Sequence, residues 1–486
     1  MTASRQANPG AQAPQISTLI EAQKAAFLEL SDCIWENPEL NFKENYACSL
    51  HEQRLVAAGF RVTRGVADLP TALLGEAGEG GPVIAVLGEY DALPELSQQA
   101  GVAQIAAVHP GGHGHGCGHN MLGSASLLAA VGLYEFLKAN NLPGRVRYYG
   151  CPAEEGGSAK GFMVRAGLFD DVDAALCWHP AFVTGVNRPF SLACAEFSFL
   201  FKGRASHASS APHLGRSALD AVELMNVGVN YMREHMPPTA RIHYAIIDGG
   251  GTAANVVQAR AVVQHLIRAR NLPEMWELVE RVKKVAQGAS LMTETEVHVK
   301  QLSGDANLVG NTVLEGLMHE NLVALGSPGF DAADQAFAAT FQKTLSPEVI
   351  EEAYTRFGLP VKMDEESLSN DVYPQGGGSD TAAGSTDVGS VSWVVPTVQC
   401  RVACYAMGTP GHSWQLVAQG KAPAAHKGLV HAAKAMAAVG ADLFVQPQAL
   451  AAAQAEFKAF RAKNEFRNPI TDDMEPDFPE GAGPAR

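Results

Sequence analysis

PVIAVLGEYD, residues 82–91, decides the fold. An apolar run of strand length closes on Glu89, Tyr90 and Asp91. It shows no polar–apolar alternation, which suits a central strand covered on both faces. Working outward, RVRYYGC (145–151), VDAALCW (172–178) and TVQCRVACYAM (397–407) read as further strands. Residues 121–139 have helical length and strong helix formers, and they end in the turn NNLPG (140–144). Residues 19–37 form an amphipathic helix that stops before Pro38. Strand and helix alternate, so the expected class is α/β, with helices on both faces of a sheet.

Polar residues gather at one end of these strands. Glu89 and Asp91 close the first, Glu154 and Glu155 follow the second, His179 follows the third, and His412 follows the last in GTPGHS (408–413). GHGCGHN (114–120) puts Cys117 and His119 just before the helix after the first strand. Ligands of open α/β sheets bind beyond the carboxyl ends of the strands, where such loops converge. A thiolate, imidazoles and a carboxylate pair in glycine-rich turns are what a divalent-metal site needs. Two adjacent glutamates can divide into one ligand and one free base. The bland alternative is a flexible loop that happens to hold histidines and a buried cysteine, and convergence of separate stretches on one rim argues against it. His51, His109, His113, His115, His213, His265 and His431 lack such support and read as structural or solvent-facing.

The middle of the chain changes character. Strands over 196–202, 241–247, 259–268 and 294–302 and helices over 216–234 and 273–288 follow in the order strand-helix-strand-strand-helix-strand. That order is a ferredoxin-like α+β unit, an antiparallel sheet with two helices on one side. The expected division is a catalytic domain over 17–191 and 307–468, interrupted by an inserted domain over 192–306. Residues 1–16 and 469–486, rich in Pro, Ala, Gly and acids, are expected to be disordered. GGGSDTAAGSTDVGS, within 375–392, reads as a glycine- and serine-rich loop, either a flexible linker or a loop lining the site, with Asp387 just before another apolar strand.

Composition excludes several classes. At 486 residues two domains are the natural division. A net charge of -15 without a basic cluster argues against a nucleic-acid partner. Residues 1–15 lack an apolar signal core, and no apolar run approaches a membrane span in length. Eight scattered cysteines do not form a disulfide framework. A soluble cytoplasmic protein is the expectation.

GHGCGHN, CPAEEGG, CWHP, ASHAS, NVVQ and GTPGHSW, in this order, resemble the M20 metallopeptidases, in the amidohydrolase branch of aminoacylases and auxin-conjugate hydrolases. The likeness spans about 19–443. Within the branch, GEYDAL, SQQAG, GRSALDAV, GASLMTET, GSTDVG and SWQL most resemble the members that hydrolyse p-aminobenzoyl-glutamate. The resemblance implies a mixed-sheet catalytic domain of zinc-peptidase type, with the ferredoxin-like insertion serving dimerisation. It implies two divalent ions, Mn2+ or Zn2+, with Cys117 bridging, His119 and His179 on one side, and Glu155 and His412 completing the pair. Glu154 would be the general base, and Asp91 would orient a ligand from behind. His207 would reach a neighbouring subunit's site to steady the oxyanion, and Asn255 and Arg268 would hold the carboxylate of the amino-acid half. The implied substrate is an N-acyl acidic amino acid with an aromatic acyl group, p-aminobenzoyl-glutamate foremost. The implied assembly is a homodimer, or a heterodimer with a paralogous subunit. Where much of the branch has Asp-x-Asp, this chain has Glu89-Tyr90-Asp91, which leaves the role of Glu89 open.

Three other readings are weighed. A scaffold subunit that lost catalysis is disfavoured by the complete set of metal and base residues. A purely structural zinc site would be closed by four ligands, and a spare glutamate fits that poorly. Hydrolysis of another N-acyl amino acid, such as indoleacetyl-aspartate, stays within the same chemistry.

Overall fold

The computed structural model describes residues 10–186, 189–362, 366–376, 384–480 and 483. Ten strands are seen among them: β1 (Arg61–Arg64), β2 (Leu73–Glu79), β3 (Val83–Glu89), β4 (Gly144–Cys151), β5 (Ala174–Ala181), β6 (Ala193–Lys202), β7 (Arg241–Asp248), β8 (Arg260–Ala269), β9 (Glu296–Asp305) and β10 (Thr397–Ala403). They build two sheets, ordered β1-β2-β4-β3-β5-β10 and β7-β8-β6-β9. In the larger sheet β4, β3, β5 and β10 run parallel, and β2 and β1 continue it antiparallel.

The seven residues of β3 are all buried, and successive side chains enter different cores. Ile84 and Val86 pack with the helices Ala13–Glu36, His119–Asn140 and Pro423–Val445. Val83, Ala85 and Leu87 pack with Phe162, Met163, Val388 and Val391. Helices on both faces explain why this strand reads as an unbroken apolar run.

Helix His119–Asn140 begins where it does because Gly118 takes φ +81°, a conformation side chains resist. A Cβ there would also stand 2.9 Å from the Met121 methyl. The same helix lies so close to β3 that a Cβ on Gly123 would approach the Glu89 carbonyl oxygen to 2.4 Å. Glycine therefore sets how closely the helix seats behind the carboxyl end of β3.

The smaller sheet is antiparallel throughout. Phe197, Phe199 and Phe201 of β6 point into a core with the helices Ala218–Met232 and Leu272–Thr293. Ser217 caps the first helix by accepting from the Asp220 N–H at 3.1 Å, and Asn271 caps the second by accepting from Glu274 N–H at 3.0 Å. The insertion runs from β6 to β9, and helix Thr312–Leu325 returns the chain to the main core through Leu314, Met318 and Leu322.

Several expectations need correction. His179 lies inside β5 rather than after it, and Asp387 precedes the short helix Val388–Ser392 rather than a strand. Residues 377–383 of the expected loop lie outside the described residues. β1 and β2 were not foreseen: β1 is a half-exposed edge, and β2 carries two glycines and two glutamates. Two helices, His119–Asn140 and Pro423–Val445, are long and apolar enough to cross a membrane, although no such run was expected. Their most apolar windows are 89% and 83% buried inside the fold. Small alanines and glycines let them pack closely.

The tails also depart from expectation. Ala13 and Ile16 are buried in the first helix. Residues 469–480 run across the molecule with Ile470 and Met474 buried. Ile470 and Met474, with Phe478 packed beside them, seat a segment whose average composition is polar. Residues 1–9, 481, 482 and 484–486 of the expected disordered ends lie outside the described residues.

Candidate metal centre

Beyond the carboxyl ends of β3, β4, β5 and β10, the turns meet around Cys117. Its sulfur lies 3.3 Å from His179 Nε2. Two sets of donors form around it, Cys117–His119–His179 and Cys117–Glu155–His412, with the ligand atoms of each set within 4.8 Å of one another. Cys117 belongs to both. His412 Nε2 is 3.4 Å from Glu155 Oε2.

Each imidazole of the first set is held through Nδ1. His119 Nδ1–H donates to Asp91 Oδ1 at 2.8 Å, and His179 Nδ1–H donates to the Pro180 carbonyl at 2.8 Å. Both Nε2 atoms are thereby left as lone-pair donors facing Cys117, the arrangement in which histidines bind metals. Asp91 also accepts the Glu155 N–H at 2.8 Å through its other oxygen, so one buried carboxylate fixes a donor from each set. His119 Nε2 and Glu155 Oε1 are buried without a hydrogen-bond partner. Orphaned donors of this kind, beside a thiol, fit a pair of divalent cations.

Electrostatics point the same way. Burial, then the neighbouring Glu89 and Glu155 carboxylates, push the Glu154 carboxyl well above the usual range. Burial, with Glu155 beside it, pushes the Cys117 thiol up. Burial, with Arg401 nearby, holds His179 well below its ordinary value and hence neutral. His119 goes upward: burial opposes a proton, but Cys117 and Asp91 outweigh it. Anions crowd this end of the sheet, and a cation answers them where a proton otherwise would.

Glu154 stands outside the two sets that share Cys117, with Oε2 3.9 Å from His119 Nε2, and belongs to a third group of close donors, Glu89–His119–Glu154. Its loop is strained and supported. Ala153 takes φ +51° and Ser158 φ +53°, while the Ala153 N–H donates to buried Glu44 at 2.9 Å. His412, at φ +54°, repeats the left-handed conformation on the opposite side.

Glu89 is positioned by a residue that pattern reading passed over. Lys160 is fully buried, with Nζ 2.7 Å from Glu89 Oε1 and 2.6 Å from Asp387 Oδ1. Burial alone would pull its ammonium down, yet Asp387 and Glu89 hold it well above its ordinary value. The other Glu89 oxygen lies 3.3 Å from His119 Nε2. A lysine in GGSAKGF carries no local sign that it will be buried.

The remaining candidates are apart. Arg268, on β8, lines the far wall of the same cavity of about 360 Å3 and donates to Ser385 Oγ at 2.7 Å. His207 and Asn255 are exposed and neighbours of each other, where the Ala208 N–H donates to the Asn255 carbonyl at 2.9 Å. They do not line the cavity of their own chain. His207 Nδ1 accepts from the Ser209 and Ser210 N–H groups, both at 3.2 Å, so Nε2–H remains as an outward donor.

Comparisons with known proteins place the chain in a family. The model of Peptidase family M20/M25/M40 matches residues 85–463. The chain is 44% identical over 470 residues to the B subunit of the p-aminobenzoyl-glutamate hydrolase of Escherichia coli (strain K12), covering 95% of this chain and 98% of that one. It is 29% identical to the Xaa-Arg dipeptidase of Mus musculus, with 90% of each chain covered. Among solved structures, a dinuclear metal-binding peptidase from Bacillus subtilis shares the fold with a TM-score of 0.54 at 17% identity, covering 87% of this chain and 99% of that one.

Proposed function

The chain belongs to peptidase family M20/M25/M40, and from that premise we propose that it hydrolyses the amide bond of N-acyl acidic amino acids, with p-aminobenzoyl-glutamate the leading substrate. The observation that carries this reading is a glutamate, Glu154, standing beside, and outside, the two donor sets that share Cys117. Residues Cys117, His119 and His179 would hold one divalent ion, and Cys117, Glu155 and His412 the other. Such ions supply Lewis acidity to the scissile carbonyl and acidity to the attacking water. Glu154 takes the proton of that water and returns it to the nitrogen of the leaving amine. Burial and the neighbouring carboxylates raise its carboxyl, the direction that makes its carboxylate a stronger base.

The outward Nε2–H of His207 is a donor for the tetrahedral oxyanion. Because His207 and Asn255 stand away from their own cavity, the reading has them serve the cleft of a second subunit, either another copy or a paralogue. The Escherichia coli relative is itself one subunit of its hydrolase, which supports an assembly of more than one chain. Arg268 holds the α-carboxylate of the amino-acid half. The thiolate favours zinc, carboxylate ligation admits manganese, and the cytoplasm, where thiols stay reduced, is the compartment proposed.

Purified protein loaded with Mn2+ or Zn2+ is to be assayed on p-aminobenzoyl-glutamate, acetyl-glutamate, indoleacetyl-aspartate and a dipeptide ending in arginine. The reading predicts fastest release of p-aminobenzoate. Preference for the arginine dipeptide would overturn it.

A further inference from the structure

β10 presents two polar side chains, Gln399 and Arg401, to the cleft, while Val398, Cys400 and Val402 enter the core on the opposite face. The parallel register sets Gln399 beside Cys177 and Arg401 beside His179. Residues in register on neighbouring strands project to the same side of a sheet. The Arg401 guanidinium therefore emerges next to a donor of the metal centre.

Among the described residues its surroundings supply no carboxylate partner, although the Cys117 thiol lies nearby. The Phe357 ring lies 5.9 Å from the guanidinium carbon, and Arg356 adds a second positive charge nearby. Among the described residues no carboxylate stands within ion-pair distance of it. Arg268 differs, because Glu196 and Asp305 share its wall of the cavity and offset its charge. A half-buried guanidinium has five donors and no acceptor, and withdrawing it from water is costly unless an acid pairs with it. The acid can arrive with the substrate.

We propose that Arg401 is a specificity-determining residue that pairs with the side-chain carboxylate of an acidic amino acid, while Arg268 on the opposite wall takes the α-carboxylate. This rests on the reading of the chain as a hydrolase of N-acyl acidic amino acids. An amino-acid half with two carboxylates answers both guanidinium groups, whereas a neutral side chain leaves Arg401 bare. A cationic side chain, such as that of an arginine dipeptide, would meet Arg401 and Arg356 as like charges.

The test compares kcat/KM for p-aminobenzoyl-glutamate, p-aminobenzoyl-glutamine and the α-amide p-aminobenzoyl-isoglutamine. It uses the metal-loaded wild type, Arg401→Met, Arg401→Lys and Arg268→Met, with metal content and melting temperature measured for each. Wild type is expected to prefer glutamate over glutamine by about 100-fold or more, the penalty for leaving a recognition group unpaired. Arg401→Met should bring that ratio to within about threefold through loss on the glutamate substrate alone. Its glutamate-to-isoglutamine ratio should persist, and Arg401→Lys should keep part of the side-chain preference. The wild-type ratio requires no variant to fold, and equal rates on glutamate and glutamine would end the proposal while leaving the hydrolase reading intact. An equal loss by Arg401→Met on all three substrates, or a loss confined to the α-carboxylate ratio, would also overturn it. A wild type inactive on all three would instead sink the hydrolase reading, and the proposal with it.

Discussion

Replacing Lys160 by methionine removes a buried cation and leaves its packing volume nearly filled. Lys160 lies between Glu89 at 2.7 Å and Asp387 at 2.6 Å, with no exposure of its own. Deleting one partner of a buried ion pair costs about 3–5 kcal/mol, because the other charge stays buried uncompensated. Unfolding entropy of roughly 2 cal/mol/K per residue over a chain of this length converts that to a drop of about 3–5 °C in melting temperature. The loss should depend on pH. Asp387 has its carboxyl raised to about 7 by burial, against the opposing pull of Lys160, from an ordinary 3.8. A carboxyl raised by folding binds more protons folded than unfolded, so its contribution is best below the unfolded value and is lost as pH rises through the folded one. Without Lys160 the carboxyl rises further and the alkaline loss deepens, while near pH 5 Asp387 is protonated in both proteins. Melting curves at pH 5 and pH 8, with the metal concentration fixed, should show the larger drop at pH 8. A drop that is equal at both pH values, or larger at pH 5, would refute the electrostatic account. An unchanged melting temperature at pH 8 would remove the ion pair as a source of stability.

The other expectations follow from the same geometry. Glu154→Gln should abolish turnover, by about a thousandfold or more, with metal content unchanged by elemental analysis; near-normal activity would displace the base. Cys117→Ala should lose both ions per chain and His179→Ala about one, since only Cys117 joins both donor sets; equal loss from the two variants would break that partition. His207→Ala should cut turnover with little change in melting temperature. Mixing it with Glu154→Gln should restore partial activity if subunits exchange, and no recovery despite proven exchange would place His207 outside a neighbour's cleft. Amidation of the substrate α-carboxylate should cost far more in kcat/KM than trimming the acyl ring, and comparable rates would remove Arg268 as a carboxylate clamp.

Strands buried on both faces and helices with a single stripe were legible because each has one periodicity to satisfy. β3 and β5 are largely apolar runs, and the helices Ala218–Met232 and Leu272–Thr293 each bury one apolar stripe. The candidate donors stood out in the sequence because Cys117, His119 and His412 lie in or beside glycine-rich turns, while His179, inside β5, is followed by Pro180. Lys160 did not, since its burial depends on Asp387, 227 residues away. Arg401 had a weaker signal, the alternation of Gln399 and Arg401 with apolar neighbours in TVQCRVA, which marks a cleft-facing side only once β10 is paired with β5. β1 was missed because an edge strand owes its form to a neighbour rather than to its own pattern, and β2, between β1 and β4, because its glycines and glutamates interrupt any apolar run. No periodicity encodes the tail, since Ile470, Met474 and Phe478 seat it in a gap that the rest of the chain creates.

That tail has a mechanical meaning. Gln301 on β9 donates to the Pro469 carbonyl at 2.6 Å, and Lys300 pairs with Asp477 at 2.5 Å. A few residues away, Arg165 of the large domain donates to the carbonyls of Thr471 and Met474. Arg467 covers the Trp276 ring of the insertion at 3.9 Å, and Phe466 stacks on Trp393 of the large domain. This stretch of chain thus works as a strap buckled to both bodies. The insertion cannot swing toward or away from the sheet without stretching or slackening it, so the gap between the walls that carry Arg268 and Arg401 is governed by a segment that touches neither.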